Sequence, residues 1–544
     1  MTLAPLSFLI LILFTIFHDR LYVHASDYDF SYMKSVYNAT DLPLVEEYDY
    51  IVIGGGTAGC PLAATLSEKY SVLVLERGNV PTAHPNVLNA SGFLANLQEQ
   101  DNNGDTPAQR FTSEDGVANV RGRVLGGTSM INAGFFSRVD SEFLAKSGVE
   151  WDLGEVEKAY EWVEEKIVST SNLSVWQSVM KEAFLEAGVG FDNGVTLDHK
   201  LGAKQSGSIF DDMGRRHGAV ELLNKGDLNN LRIAVHATVK KIMFSATIMS
   251  KPAAVGVVYS DARGSFHKAI IRNKGEVILS AGPLGSPQLL LLSGIGPHSD
   301  LSSQFIPTVL PQPNVGKFMA DNPRSTINLI IPFPFDTSTA QVVGITSDYY
   351  IETVSYSLPF SPTSLPFSFY STPLSPPQLS LASIVEKIVG PLSHGSLRLA
   401  SPTEVEITPY VRFNYLSDPI DLSRCVSATR KMADLLKTQS LDRFKYTDYN
   451  GARGFMFLGP PIPTNHTDDS SMEAFCRSSV TTFWHYHGGC LVGKVVDGDF
   501  KVIGIDSLRV VDSSTFNASP GTNPQATIMM IGRYVGLKML NERK

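Results

Sequence analysis

Tyr48-Asp49-Tyr50-Ile51-Val52-Ile53-Gly54-Gly55-Gly56-Thr57-Ala58-Gly59-Cys60-Pro61-Leu62-Ala63-Ala64-Thr65-Leu66 is the stretch from which the fold is read. An apolar run of strand type enters a G-x-G-x-x-G turn at Gly54, Gly56 and Gly59, then leaves into an alanine- and leucine-rich helical stretch. That strand-turn-helix setting is what a dinucleotide fingerprint requires. Gly54 permits the tight turn, Gly56 lets a pyrophosphate approach the backbone, and Gly59 lets helix pack on strand. The helix N-terminus then faces the phosphate charge. Ser71-Val72-Leu73-Val74-Leu75 reads as a second buried strand ending at Glu76, 17 residues past Gly59, where a carboxylate accepts hydrogen bonds from a ribose 2′-hydroxyl. A bare glycine triplet also suits a plain turn; both strands and Glu76 in register favour the dinucleotide site.

The rest of the composition agrees with a large globular chain. Of 544 residues 43% are hydrophobic and 18% charged, with 44 Gly and 31 Pro, which excludes a disordered or fibrous protein. The net charge of −9, with no compensating Lys/Arg run, leaves no footprint for a nucleic-acid partner. Length alone fits several domains or one two-lobed enzyme.

Residues 6–17 (LSFLILILFTIF) form a 12-residue apolar run closed by His18, Asp19 and Arg20. A bilayer span needs about 20 apolar residues. With the small-residue exit Val23-His24-Ala25, the run reads as a secretory signal, residues 1–25, cleaved near Ala25. The segment before it has no Lys or Arg, which leaves an uncleaved anchor as the other reading. No later apolar run approaches spanning length, so a secreted or luminal chain with no stable membrane span is expected. N-x-S/T sequons at Asn38, Asn89, Asn172, Asn465 and Asn517 suit that route as glycosylation sites. The four cysteines show no C-x-x-C and no zinc spacing, so no metal is expected. Cys425 and Cys476 can pair as a disulfide across 51 residues, the other reading being two buried thiols; Cys60 and Cys490 follow glycines and read as small buried hydrophobes.

Two further segments, Gly122-Arg123-Val124-Leu125-Gly126-Gly127-Thr128-Ser129-Met130-Ile131-Asn132 and Gly282-Pro283-Leu284-Gly285-Ser286-Pro287-Gln288-Leu289-Leu290-Leu291-Leu292-Ser293-Gly294-Ile295-Gly296, carry a resemblance. Read bare, their glycine pairs are turns, and Pro287 opens a short buried helix. Together, and in this order, they resemble the two signatures of the glucose-methanol-choline oxidoreductases. The resemblance runs from about Tyr48 to Leu540 and is strongest to the plant branch of mandelonitrile lyases and HOTHEAD-like alcohol dehydrogenases. It implies FAD rather than NAD, with the first signature wrapping the flavin and its pyrophosphate. On it, Thr57, Ala58, Arg77, Val124, Thr128 and Asn132 join Gly54, Gly56, Gly59 and Glu76 as cofactor-binding residues, Val239 touches adenine, and Asp512 lies near the flavin phosphates. Asp512 also reads as a turn aspartate at a strand end. Some relatives tether FAD through a histidine just before the signature asparagine; Ile131 stands there, so FAD is expected to be non-covalent.

Trp484-His485-Tyr486-His487-Gly488-Gly489-Cys490-Leu491-Val492-Gly493 resembles the family's catalytic-histidine segment. In the family that histidine precedes one glycine by three positions and another by eight. From His485 these fall on Gly488 and Gly493; from His487 the first falls on Cys490. The resemblance therefore makes His485 catalytic and leaves His487 a core histidine. The second site residue, 38 positions on, is Asn523, and Pro524 and Gln525 begin a helix toward Leu540 whose N-terminus points at the flavin. Trp484 and His485 also count among the flavin contacts.

These placements imply an α/β (α+β overall) protein with a Rossmann-type FAD-binding lobe from 48–78, 202–296 and 501–544, and an antiparallel-sheet substrate lobe from 135–201 and 297–500. The Pro-, Ser- and Phe-rich stretch 331–377, with eight prolines, reads as strands and loops capping an apolar cavity or as a surface linker. A capping role would suit a small hydrophobic alcohol or aldehyde. As an oxidoreductase the protein would convert a primary alcohol to an aldehyde: His485 takes the hydroxyl proton, hydride passes to flavin N5, and Asn523 holds the oxygen. The alternative is an (R)-hydroxynitrile lyase releasing aldehyde and cyanide from a cyanohydrin without net redox. In the related lyases both site positions are histidine, a tyrosine precedes the first by two residues, and a cysteine sits in the cap. Here those are Asn523, Phe483 and no cysteine, and an amide cannot accept a proton at neutral pH, which favours the oxidoreductase. A catalytically silent extracellular flavoprotein is a third reading, against which the intact His485/Asn523 pair argues.

Overall fold

The computed structural model describes residues 28–98, 104–245, 251–359 and 378–543. Residues 1–25, read above as a secretory signal, and residues 360–377 of the proline-rich stretch lie outside the described residues.

Val45–Ile53 is central to the first sheet. Ile51, Val52, Leu73 and Val74 are fully buried, the continuous apolar pattern of strands covered on both faces. Among the described residues the order is Val36–Asn38, Leu231–Val235, Val72–Leu75, Val45–Ile53, Phe266–Leu279, Ala254–Ser260 and Thr238–Phe244. The first five are parallel; the last two return antiparallel from the first half of Phe266–Leu279. Leu508–Val510 pairs in parallel with the other half. The helix Gly59–Ser67, all nine of its residues buried, lies between this sheet and the long C-terminal helix Gln525–Glu542.

The second sheet runs Met456–Phe457, Pro323–Ile330, Gln378–Ile388, Tyr349–Pro359, Val342–Ile345, Gly202–Gln205 and Asp192–Val195, and is antiparallel except for its last pair. One face packs on the helices Val175–Glu186, Pro419–Leu435 and Asp469–Ser479 through Trp176, Phe184, Met432 and Phe475. Alternation sends Ser325, Ile327 and Leu329 into that core and turns Arg324, Thr326 and Asn328 to the other face.

Two sequence expectations change, and of the two readings of 331–377 the strand reading holds for 349–359. Gly202–Gln205 hydrogen-bonds with Val342–Ile345, whereas Ala219–Lys225 packs on the helix Gly59–Ser67, so the middle piece of the nucleotide lobe begins near Ala219 rather than at 202, and Val36–Asn38 joins that lobe before Tyr48. Residues 349–359 are no surface linker, since they pair along their length with 378–388 inside the sheet. The helix expected from Pro287 begins at Gly282, with Pro283 in its first turn and Pro287 inside it. Asp512 causes the earlier start, because its Oδ2 accepts from the Gly282 N–H (2.9 Å) and the Ser286 hydroxyl (2.5 Å).

Cys425 and Cys476 are disulfide-bonded, with a Cα separation of 6.2 Å, and join two helices behind the second sheet. Closing a 51-residue loop restricts the unfolded chain. Replacing both cysteines by serine is expected to lower stability by about 4 kcal/mol in the chain-entropy account, read as a drop in the denaturation midpoint.

Candidate active site

A cavity of about 1510 Å³ lies between the two sheets. Single small ligands occupy about 300–1,000 Å³, so it has room for a dinucleotide and a second molecule. At the first sheet, Gly54 has φ +97° and a Cβ there would meet the Ser280 carbonyl oxygen at 2.5 Å; one on Gly59 would meet the Gly54 oxygen at 2.0 Å. Gly56 meets nothing nearer than 3.8 Å and lines the cavity, which leaves a bare backbone cradle for a pyrophosphate. Glu76 accepts from the Gly55 N–H (3.1 Å) and the Gly78 N–H (2.8 Å), and burial pushes its carboxyl pKa up. These features fit the dinucleotide part of FAD.

Thr57, Ala58, Arg77, Thr128, Asn132, Val239, Trp484, Pro524 and Gln525 also stand in the cavity wall. Val124 does not: its side chain is wholly buried in the core, and the backbone bridges to Asn79. Gly59 lies behind the wall, consistent with a packing role. Asp512 reaches the wall, but its carboxylate is filled by Gly282, Ser286 and the Ser514 N–H (2.8 Å), so it holds the turn. Asn132 donates to Gln525 Oε1 (2.8 Å) and accepts from Arg216 (2.9 Å), stitching the first signature loop to the C-terminal helix.

At the second sheet His485 lines the cavity and His487 does not. The His485 N–H donates to Asp321 Oδ1 (2.8 Å), whose Oδ2 accepts from the Tyr415 and Thr482 hydroxyls (2.6 Å each); burial raises Asp321 to about 6. Trp484 has φ +60°, a strained value for a bulky residue, held by its N–H on the Thr482 hydroxyl (2.7 Å) and by Arg324 4.4 Å from the ring centroid. The His485 ring is kept neutral: burial first, then the neighbouring side chains Lys387, His487 and Arg324, hold its pKa well below the ordinary value. Lys387 Nζ donates to the Thr522 carbonyl (3.0 Å) and lies 3.5 Å from His485 Nδ1; burial lowers its pKa to about 7 against the pull of Glu352 and Asp321. His485 Nε2 has no protein partner among the described residues. The Tyr350 hydroxyl lies 2.8 Å from Asn523 Oδ1 and 3.1 Å from Glu352 Oε2, so the amide is held before any substrate arrives. His487, buried and pushed down to about 4, contacts the His485 carbonyl through Nδ1 (3.1 Å).

Asp321, Arg324, Tyr350, Glu352 and Lys387 escaped the sequence reading. The available signal was charge inside apolar strand patterns, as in Ile384-Val385-Glu386-Lys387-Ile388 and Tyr349-Tyr350-Ile351-Glu352.

A Rossmann-type lobe and an antiparallel sheet that share one cavity define the class, a two-lobed flavoprotein. GMC oxidoreductase family models match residues 48–324 and 391–532. (R)-mandelonitrile lyase 1 of Prunus serotina is 55% identical across 98% of this chain and 95% of its own length. Sinalpyl alcohol oxidase Nec3 of Nesocodon mauritianus is 52% identical across 95% and 92%. In fold, the chain is similar to pyridoxine 4-oxidase from Mesorbium loti, with TM-score 0.72 and 22% identity over 90% of this chain and 98% of that one. The chain belongs to the GMC oxidoreductase family and is an FAD-dependent enzyme.

Ile131, 1% exposed and in the cavity wall, has no nucleophilic atom. Acid precipitation is expected to leave FAD in the supernatant; yellow colour retained in the pellet would show a covalent bond.

Proposed function

We propose that the protein oxidises the CH–OH group of an alcohol, with His485 as base and Asn523 as the group that holds the substrate oxygen. The observation that carries this reading is the pairing of a neutral, buried imidazole with an amide held by Tyr350 and Glu352 at one end of the cavity. Bound FAD supplies the acceptor for the carbon-bound hydrogen. His485 receives the hydroxyl proton at Nε2, the ring nitrogen away from Lys387. Asn523 Nδ2 donates to the substrate oxygen while Oδ1 is engaged by Tyr350. The first turn of Gln525–Glu542 brings the positive end of a helix dipole to the cavity wall. Export of the chain is part of the proposal, supported by the apolar run 6–17, the disulfide, and the exposure of Asn89, Asn172, Asn465 and Asn517.

A second reading, hydroxynitrile cleavage, is favoured by the high identity to (R)-mandelonitrile lyases and by Arg324 and Lys387, two cations beside His485 that suit a departing anion. Anaerobic mixing with alcohols and with mandelonitrile separates the two. Bleaching of the flavin band by an alcohol supports oxidation; cyanide release without bleaching by any alcohol replaces it with the lyase reading. His485→Ala is expected to slow bleaching about 10²–10⁴-fold with FAD retained. Asn523→Ala should raise the barrier by about 2–4 kcal/mol. A larger loss from His487→Ala in a folded protein would overturn the assignment of His485.

The pH dependence follows from Lys387. Below about pH 7 its ammonium faces Nδ1 and weakens His485 as a base; above, the amine is neutral and the ring accepts a proton more readily. Flavin reduction is therefore expected to rise with pH through about 7, and Lys387→Met should flatten that limb. A rate that falls through the same range in the unmodified protein would contradict this.

A further inference from the structure

Behind the wall where the first signature loop meets the C-terminal helix lies a guanidinium without an anionic partner. Arg216 is 0% exposed. Its Nε donates to the Val87 carbonyl (2.9 Å), Nη1 to the Ser129 carbonyl (3.0 Å) and Asn132 Oδ1 (2.9 Å), and Nη2 to the Asn132 carbonyl (2.6 Å). The Phe210 ring centroid lies 4.4 Å from its central carbon. Every one of these partners is neutral. The buried carboxylates nearest in sequence are already committed, Asp211 to Arg215 (2.6 Å) and His217 (3.5 Å), and Glu221 to His217 (3.0 Å). Burial lowers Arg216 to about 9, which leaves it charged at neutral pH. A charge held out of water is costly unless an opposite charge offsets it, and the protein itself places none against this one.

The residues Arg216 grips say where its charge is felt. Ser129, Asn132 and Phe210 line the cavity. From Ser129 the loop leads back to Gly127, which abuts Gly56 in the glycine cradle. In the other direction Asn132 Nδ2 donates to Gln525 Oε1 (2.8 Å), and Gln525 Nε2 donates to the Phe135 carbonyl (2.6 Å). Gln525 begins its helix two residues after Asn523, so the wall in front of Asn132 is continuous with the reacting end of the cavity. Two of the four hydrogen bonds of Arg216 fall on Asn132, and the positive end of that helix lies at the same place. The charge of a diphosphate is fixed, whereas the flavin ring gains negative charge when it takes up two electrons and one proton. A cation behind this wall favours the reduced ring.

We propose that Arg216 is the built-in counter-charge for the flavin ring of bound FAD, a positioning residue that works from behind Asn132 and makes the ring easier to reduce. This needs bound FAD and neither of the two reactions weighed above.

The test compares FAD-loaded unmodified protein with Arg216→Met, which keeps length and removes the charge, and Arg216→Lys, which keeps the charge. The midpoint potential of the flavin is read by slow anaerobic reduction beside a reference dye, and FAD affinity by reloading the stripped protein. A unit charge acting through a medium of effective dielectric about 20 sets the expected loss in Arg216→Met at about tenfold in the reduction equilibrium. For a two-electron couple that is a potential lower by about 30 mV. Arg216→Lys should stay within about threefold of the unmodified protein, since a lysine supplies the same charge with fewer donors. A purely structural role would weaken FAD binding in both variants and leave the potential of the FAD that remains unchanged. An unchanged potential in Arg216→Met, equal shifts in both variants, or an Arg216→Met protein that excess FAD does not reload overturns the proposal.

Discussion

A lysine ammonium buried between a carbonyl and an imidazole is the contact on which the site depends. Lys387 ends a central strand of the second sheet, yet its partners, Thr522 and His485, belong to the C-terminal segments that close over the cavity. A buried cation is costly unless it is paired or discharged, and here it is both hydrogen-bonded and lowered to about 7. The same side chain spans the interval between His485 and the loop that carries Asn523. Any shift of the sheet relative to that loop would disturb all three groups together. Asp321 plays the corresponding part for the backbone, anchoring the His485 N–H with a carboxylate that two hydroxyls also satisfy.

The nucleotide lobe was legible because its signals are local. Gly54, Gly56 and Gly59 act within one turn, Glu76 follows one strand later, and the apolar runs 50–53 and 72–75 need no distant partner to be recognised as buried strands. The boundary at 202 failed for the opposite reason. Gly202–Gln205 is an ordinary short strand whose sheet is chosen by Val342–Ile345, well over a hundred residues away, and nothing in the short strand itself says which sheet will take it. Pro287 misled similarly, since the cap that starts its helix early comes from Asp512 across the fold.

The site was half legible. His485 and Asn523 were found through resemblance, while strand alternation brings Glu352 to the cavity wall and Lys387 and Tyr350 against Thr522, His485 and Asn523. The Phe- and Leu-containing stretch 331–377 suggested an apolar pocket. In the sheet the apolar residues largely turn to the helices behind, and the cavity receives what alternates with them: arginine, threonine and asparagine on one strand, valine and serine on the next.

The placement of Gly202–Gln205 has one more consequence. The chain contributes strands to the first sheet, leaves for the second, returns at Leu231, leaves again after Leu279 and comes back with Leu508–Val510. Neither lobe is a contiguous stretch of polypeptide, so neither can be inherited, expressed or lost as a cassette. The evolutionary unit is the entire interleaved pair, and variation in what the enzyme accepts has to enter by changing side chains on the second sheet in place.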